Sequence, residues 1–473
     1  MTMTTSQRWV LALTAISSLM ILLDALVVTT ALHAMALNLH ASIADLEWTV
    51  NAYILPFAVL LMAGAALGER YGRRRVLVGG LVLFAVGSAG CALTPGLGWL
   101  IATRAIQGAG AAAVAPVAVS ILSAAFGPEQ RPRALGLFAS ITGLGTLAGP
   151  LVGGAIVQNL TWQWIFWVNV PIAALLIPLV RVRLEENAGS PRRLDYLGIG
   201  LVSAASFGLV WGLIRGNESG WASAEIVAAL AGGAIALIVF VGWELRADAP
   251  LIPMRFFASR SFSAGNAAGF LLFASVFSGA FFFAQFLQIV LRHGPMATGL
   301  LLAPWTVALF VVAPIAGKQV NTTGARLLVV AGLLLQAIGF AWIALIAGPG
   351  STYLPLIPPF VISGVGIAMT IPSAQSAVIA AVPMTAIGAA SGTFNTVRQL
   401  GGAFGIAITT AVFTTQGGLG SATTFSHGFT AAIATAAALA LAGAVIGLLL
   451  PRRAAHTTSR TATVPAAQQA STR

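Results

Sequence analysis

Apolar residues fall in runs of roughly 20 along most of the chain, separated by short polar stretches. A run of that length crosses the hydrocarbon core of a bilayer as a helix. The pattern predicts about fourteen spans, near 9–32, 47–68, 75–94, 98–123, 134–157, 163–181, 196–215, 222–244, 264–289, 297–316, 326–347, 353–378, 388–414 and 428–450. All are expected to be helical, because a lipid-exposed backbone must satisfy its own hydrogen bonds. The alternation over about ten residues that marks a transmembrane β-strand is not seen. Two long polar stretches, "RVRLEENAGSPRRLDYLG" and "ELRADAPLIPMRFFASRSFSAGN", divide the chain. The expected organisation is a six-helix bundle over 1–182, a linker over 183–262 with two additional transmembrane helices, and a second six-helix bundle over 263–450. A polar, low-complexity tail over 451–473 reads as disordered.

Glycine interrupts the apolar runs in a regular way. "GLGTLAGPLVGG" sets Gly145, Gly149 and Gly153 four residues apart, with Gly154 beside them and Pro150 in the middle. That spacing lets two helices approach closely, and the proline is expected to bend the helix. "RQLGGAFGIA" (398–407) repeats the texture in the second half, as expected of a transporter built from internal repeats.

Composition agrees with the hydropathy. The 473 residues are 58% hydrophobic and 8% charged, against about 25% charged in a soluble domain; mean hydropathy is +0.93. The net charge of +12 would suit a nucleic-acid binder, but its distribution points elsewhere. Arg70, Arg73, Arg74 and Arg75 share one loop, and Arg131 with Arg133 a second. Arg181, Arg183, Arg192 and Arg193 share a third, and Arg246, Arg255 and Arg260 a fourth. Lys318 and Arg326 share a fifth, while Arg452, Arg453, Arg460 and Arg473 lie in the tail. With an even number of spans these segments all face one side, and only Arg215 and Arg292 face the other. This is the positive-inside pattern, so a multi-pass protein of the cytoplasmic membrane with both termini cytoplasmic is expected, and no nucleic-acid partner. The first apolar run is too long for a cleaved signal peptide and lacks a small-residue cleavage site. Cys91, the single cysteine, sits in an apolar run and reads as a small buried hydrophobe.

Only a few charges interrupt the spans. Asp24, in "SLMILLDALVVTT", is the only charge between Val10 and Leu32. An aspartate at a helix centre in the membrane costs roughly 2.5–3.5 kcal/mol, so it needs a partner or a water-filled cavity. Arg104 and Arg398 are the other charges placed well inside spans. The first helix runs outward and the fourth inward, which places Asp24 and Arg104 at similar depth, roughly 9–12 Å below the outer boundary. Pairing is then possible. Burial disfavours a charged carboxylate and a neighbouring arginine favours it. If access alternates between the two faces, protonation of Asp24 can be tied to conformation, whereas a static pair is the purely structural alternative. Asp24→Asn would delete a costly charge, so insertion is expected to survive. No P-loop is present: the only lysine, Lys318 in "IAGKQV", lacks the second half of that pattern. Nor is there an H-E-x-x-H, a Cys/His metal cluster or a nucleophile–base set. An enzyme is therefore not expected, and neither is a metal or cofactor. His33, His40, His293 and His427 lie near outer helix ends and His456 in the tail, and all five read as solvated.

The loop "LGERYGRRRVL" resembles the G-x-L-[AG]-D-R-x-G-R-[RK] motif of the major facilitator superfamily. Leu67, Gly68, Arg70, Gly72, Arg73 and Arg74 match; Ala65 replaces Gly, and Glu69 replaces Asp. "ATRAIQGAGAAA" resembles the fourth-helix motif through Arg104, Gln107, Gly108 and Gly110. "GLGTLAGPLVGG" resembles the antiporter fifth-helix motif, and "LDALVVTTAL" a first-helix motif of the fourteen-helix drug:proton antiporters. "WQWIFWVNVPI" matches at Trp162, Trp164, Phe166, Asn169 and Pro171, with Gln163 where the family has Arg, and "LDYLG" matches the linker-helix start at Asp195 and Gly198. A degenerate repeat, "PIAGKQVNTTGARL", keeps Pro314, Gly317, Lys318, Gly324 and Arg326 but no acid. The resemblance implies the all-α major facilitator fold, with two six-helix bundles plus two linking helices. It implies that the acid at Glu69 contacts the other half and helps set the conformational equilibrium.

The function so implied is proton-coupled export of small, largely hydrophobic organic compounds such as antibiotics, dyes or biocides. Asp24 and Arg104 would carry the proton coupling. Asn51, Tyr53, Gln107, Gln285, Gln288, Asn395 and Gln399 are the candidate cavity residues, with helix packing as the competing role of each. Partners are the substrate, protons and the lipid bilayer, and the chain reads as a monomer. A dedicated exporter of one metabolite and an uptake symporter stay open. A channel would want a repeated filter or a ring of like charges, and neither appears.

Overall fold

The computed structural model describes residues 3–127, 130–186, 195–383 and 386–452. Arg192, Arg193, Arg453, Arg460, Arg473, His456 and nearly all of the tail over 451–473 lie outside the described residues. The described chain is all-α. In order the helices are α1 (Thr5–Leu39), α2 (Ile43–Tyr71), α3 (Arg73–Ala92), α4 (Leu97–Ala125), α5 (Arg131–Asn159), α6 (Trp164–Trp167), α7 (Asn169–Arg183), α8 (Tyr196–Ser219) and α9 (Ala224–Glu244). They continue with α10 (Arg260–Ile289), α11 (Pro295–Leu301), α12 (Ala303–Thr323), α13 (Ala325–Ile346), α14 (Ile357–Ala380), α15 (Ile387–Gln416) and α16 (Ala422–Gly447). Among the described residues, thirteen helical segments are long and apolar enough to cross a membrane, with α6–α7 and α11–α12 each forming one crossing. The chain is a multi-pass membrane protein. α15, 30 residues long, is diluted by Asn395, Arg398, Gln399 and several glycines and falls outside that set.

Helix ends run beyond the apolar runs because polar residues cap them. Thr4 and Gln7 form a capping box that starts α1 at Thr5, and Ser42 with Asp45 starts α2 at Ile43. Ser421 accepts from the Thr424 N–H and begins α16 six residues before the expected span. Gly72 (φ 102°) turns α2 into α3, and Gly324 (φ 87°) turns α12 into α13. Both positions need the left-handed region that glycine alone enters freely. The same device at the same place in each half is the structural trace of the internal repeat.

α1–α7 pack among themselves, and so do α10–α16. The two groups hold together differently. In the first, glycine lets backbones touch: a Cβ on Gly149 would lie 2.7 Å from Leu26 Cβ, so α5 lies directly on α1. In the second, aromatics interlock: Phe283 meets Trp305, Phe340 and Phe360 edge-on at 5.0–5.3 Å between ring centres. α8 and α9 pair with each other, and α8 also lies against α2 and α15. Trp48 of α2 contacts Phe207 and Trp211 of α8.

At one end of the molecule the two groups abut. Gly154 of α5 packs on the backbone of Pro295, and Gly299 of α11 on the backbone of Pro150. Gln288 donates to the Thr30 carbonyl (3.0 Å) and Gln158 accepts from the Met296 N–H (3.3 Å). At the other end they part around a cavity.

Candidate functional site

Asp24 of α1 is 1% exposed. Its carboxylate collects donors from two further helices. Arg104 Nη1 of α4 donates to Oδ2 at 2.7 Å, Gln107 Nε2 of α4 to Oδ1 at 2.8 Å, and Asn169 Nδ2 of α7 to Oδ1 at 2.7 Å. Gln107 also donates to Ser88 Oγ of α3 at 2.7 Å and accepts from Arg104 Nη1 at 2.7 Å. Arg104, also 1% exposed, spends its Nε on the Thr49 carbonyl of α2 at 3.1 Å. The Tyr53 ring lies 4.3 Å from the guanidinium carbon and Phe166 5.6 Å, geometry that suits cation–π attraction. One carboxylate thus gathers α1, α4 and α7 directly, and α2 and α3 through its partners. Every group facing Asp24 donates, which suits the ionised acid: a carboxylate is acceptor-only, and a carboxylic acid would need an acceptor here.

Asn169 is visible in the sequence only as a motif match and Ser88 not at all. Neutral polar residues are common in helices and give no depth signal. Glu47 is also more central than the sequence suggests. The apolar run starts at Glu47, but the capping box starts α2 at Ile43, so Glu47 stands a turn inside the helix and is fully buried. Asn51 donates to its Oε1 at 3.2 Å. The Thr410 hydroxyl of α15 faces the carboxyl, yet neither Glu47 Oε2 nor Thr410 Oγ1 completes a hydrogen bond.

A cavity of about 670 Å³ lies between the two helix groups, with Arg104 on its wall. Of the seven candidate cavity residues, Tyr53, Asn395 and Gln399 line it. The other four are turned elsewhere. Gln107 belongs to the Asp24 network, Asn51 serves Glu47, Gln288 bridges to Thr30, and Gln285 donates to the Phe281 carbonyl of its own helix. The lining runs toward Glu69, Asp195, Pro250 and Gly388, away from the end sealed by Gly154 and Gly299.

The "LGERYGRRRVL" loop stands at the open end. Gly68 is buried, Leu67 and Glu69 are half-buried and Arg70 is exposed. Glu69 Oε1 accepts from Arg73 Nη2 at 2.7 Å and Nε at 3.0 Å. Among the described residues its ionic partner is in its own half, four residues away. Glu186, beyond α7, accepts from the Arg74 N–H at 3.0 Å and so caps the start of α3. Arg74 Nη1 in turn donates to the Arg181 and Leu184 carbonyls. Gly145, Gly149 and Gly153 face α1, and Gly154 faces Pro295, so this motif packs one helix against both groups. His40 and His427 are exposed, while His33 and His293 are half-buried, because α1 runs on to Leu39 and His293 folds back onto the end of α10.

Comparison with known proteins identifies the architecture. The Major Facilitator Superfamily profile matches residues 14–406. The tetracenomycin C resistance and export protein of Streptomyces glaucescens is 34% identical over 83% of this chain and 73% of its own. The cephamycin export protein CmcT of Amycolatopsis lactamdurans is 37% identical over 96% and 94%. A crystal structure of a bacterial homologue of the human lysosomal transporter Spinster, inward-facing and unoccupied, superimposes with a TM-score of 0.68 at 14% identity, over 95% of this chain and 98% of that one. The chain belongs to the Major Facilitator Superfamily, a family of membrane transporters and not of enzymes.

Proposed function

We propose that this transporter exports small, largely apolar organic compounds such as antibiotics across the cytoplasmic membrane in exchange for protons, acting as a monomer with both termini in the cytoplasm. The observation that carries the proton coupling is Asp24, among the described residues the buried carboxylate that is ion-paired to an arginine on the cavity wall, Arg104. Export of antibiotics is what two relatives' names describe. With the arginine-rich loops inside, the cavity opens to the cytoplasm. Residues 1–182 and 263–450 are the two bodies that rock about it, and 183–262 links them.

Coupling follows from the hydrogen bonds. A proton on Asp24 cancels the charge that holds Arg104, and it turns an oxygen that accepts into a hydroxyl that must donate. Contacts from Arg104, Gln107 and Asn169 weaken together, on helices α4 and α7 against α1. The bundle then has a reason to repack, and the side from which the proton came is written into the new arrangement. The membrane potential adds about 2.3 kcal/mol per charge per 100 mV.

The test is transport by purified protein in liposomes, with an imposed pH gradient and a panel of neutral, anionic and cationic aromatic compounds. Gradient-driven accumulation that a protonophore abolishes is the expected result. Accumulation that followed ATP alone and ignored the protonophore would overturn the reading.

A further inference from the structure

Among the described residues four charged side chains line the cavity: Glu69, Arg104, Asp195 and Arg398. Glu69 is held by Arg73 and Arg104 by Asp24. Asp195 accepts from the Gly198 N–H at 2.7 Å and from Trp243 Nε1 at 2.9 Å. Arg398 is different. Among the described residues no carboxylate lies within 4.0 Å of it, and its Nε is sealed from solvent with nothing to donate to. Its guanidinium carbon lies 4.8 Å from the centre of the Phe273 ring. Arg398 as a whole is half-buried and faces the cavity; arginine does not shed its proton, so its positive charge stays on the wall with no counter-charge beside it among the described residues. The adjoining Gln399, 5% exposed, leaves Oε1 without a donor. Asn395, one turn earlier, lies on the same wall.

We infer that Arg398 is the receptor for an anionic group on the transported compound, so that the chain prefers apolar or aromatic molecules bearing a carboxylate. The planar guanidinium fork matches a carboxylate in two parallel hydrogen bonds. Phe277, Phe281, Tyr53 and Phe57 supply an aromatic wall for the remainder of the molecule, and a volume of about 670 Å³ suits a drug-sized ligand. The Asp24–Arg104 pair is electrically balanced, which leaves Arg398 as the cation on the wall without an ionic partner among the described residues. This inference rests on the export reading and narrows it to a substrate class.

The test uses three matched probes, 1-pyrenebutyrate, its methyl ester and 1-pyrenebutylamine, with binding to detergent-solubilised protein read by fluorescence. The acid is expected to bind at least tenfold tighter than the ester, and the amine weakest. Arg398→Gln should erase the preference for the acid and leave the ester unchanged; Arg398→Lys should retain part of it. Because the ester reports on the rest of the cavity, its unchanged affinity also certifies that each variant is folded. Equal binding of acid and ester to the native protein, or an acid preference that survives Arg398→Gln, would overturn the anion site while leaving export intact. No binding of any probe would count against both readings.

Discussion

Asp24→Asn keeps the size of the side chain and removes its charge. On sequence grounds that deletion should relieve the membrane helix of a cost. The structure reverses the sign, because Arg104 is 1% exposed and its one ionic partner among the described residues is Asp24. Three donors converge on the two carboxylate oxygens at 2.7–2.8 Å. Asparagine offers one acceptor oxygen, and its amide group would face another donor. Arg104 would keep only the neutral acceptors Gln107 Oε1 and the Thr49 carbonyl. Removing one member of a buried pair costs about 3–5 kcal/mol, since the other charge is left uncompensated. We expect about 3 kcal/mol, the low end, because those two acceptors remain. The double variant Asp24→Asn/Arg104→Gln removes both charges and should regain about 2 kcal/mol of the loss. Reversible unfolding in mixed micelles titrated with a denaturing detergent measures both values. The same proteins in liposomes should lose gradient-driven export while still binding substrate. A single variant within 1 kcal/mol of the native protein, or a double variant no better than the single, would refute the energetic reasoning. Full gradient-driven export by Asp24→Asn would refute the assignment of the proton to this residue.

Glu69→Gln should slow turnover several-fold in liposomes and leave substrate affinity within about threefold. The Glu69–Arg73 pair is 29% and 17% exposed, and a four-residue helical pair is worth only about 0.3–0.5 kcal/mol, so stability measured by unfolding should hardly change. Gly149→Val places branched carbon where Leu26 Cβ would already lie 2.7 Å from a single added Cβ. Prying α5 from α1 should cost about 1–3 kcal/mol, seen as a lower unfolding midpoint. Glu186→Ala removes the acceptor at the start of α3 and should cost about 1 kcal/mol; hydrogen exchange at the Arg74 amide should rise.

The helices, their order and the Asp24–Arg104 proximity could be worked out from the sequence because each rests on a large energy. An apolar run of membrane length has one stable form, and an acid inside it needs a partner or a water-filled cavity, a need that Arg104 at equal depth could meet. What remained hidden rests on small energies or on facing. Asn169 and Ser88 complete the site with neutral hydrogen bonds worth about 1 kcal/mol each, too little to mark a sequence. Glu47 was masked by a boundary, since the cap at Ser42 and not the apolar run decides where α2 begins. The division of cavity candidates into three that line the space and four that do not depends on helix rotation. In helices apolar around their whole circumference, the pattern gives no face. Glu186 caps α3 from more than a hundred residues away, a contact that local pattern does not contain.

In the proposed mechanism the two arginines on the cavity wall divide the driving force between them. Arg104 is bound to a group that a proton can neutralise, whereas Arg398 would take its counter-charge from the cargo. An anion leaving the cytoplasm moves with an inside-negative potential, and so does a proton entering. One-for-one exchange of the two therefore transfers two charges, about 4.6 kcal/mol per 100 mV, twice what exchange of a neutral compound would gain. Such exchange needs no acid beside Arg398. A carboxylate there would neutralise the receptor, compete with the cargo and surrender half of that electrical work. Among the described residues Arg398 has no ionic partner and Arg104 has one, and on this proposal the two are complementary: the proton would act on the charge that is already balanced, and the cargo on the charge that is not.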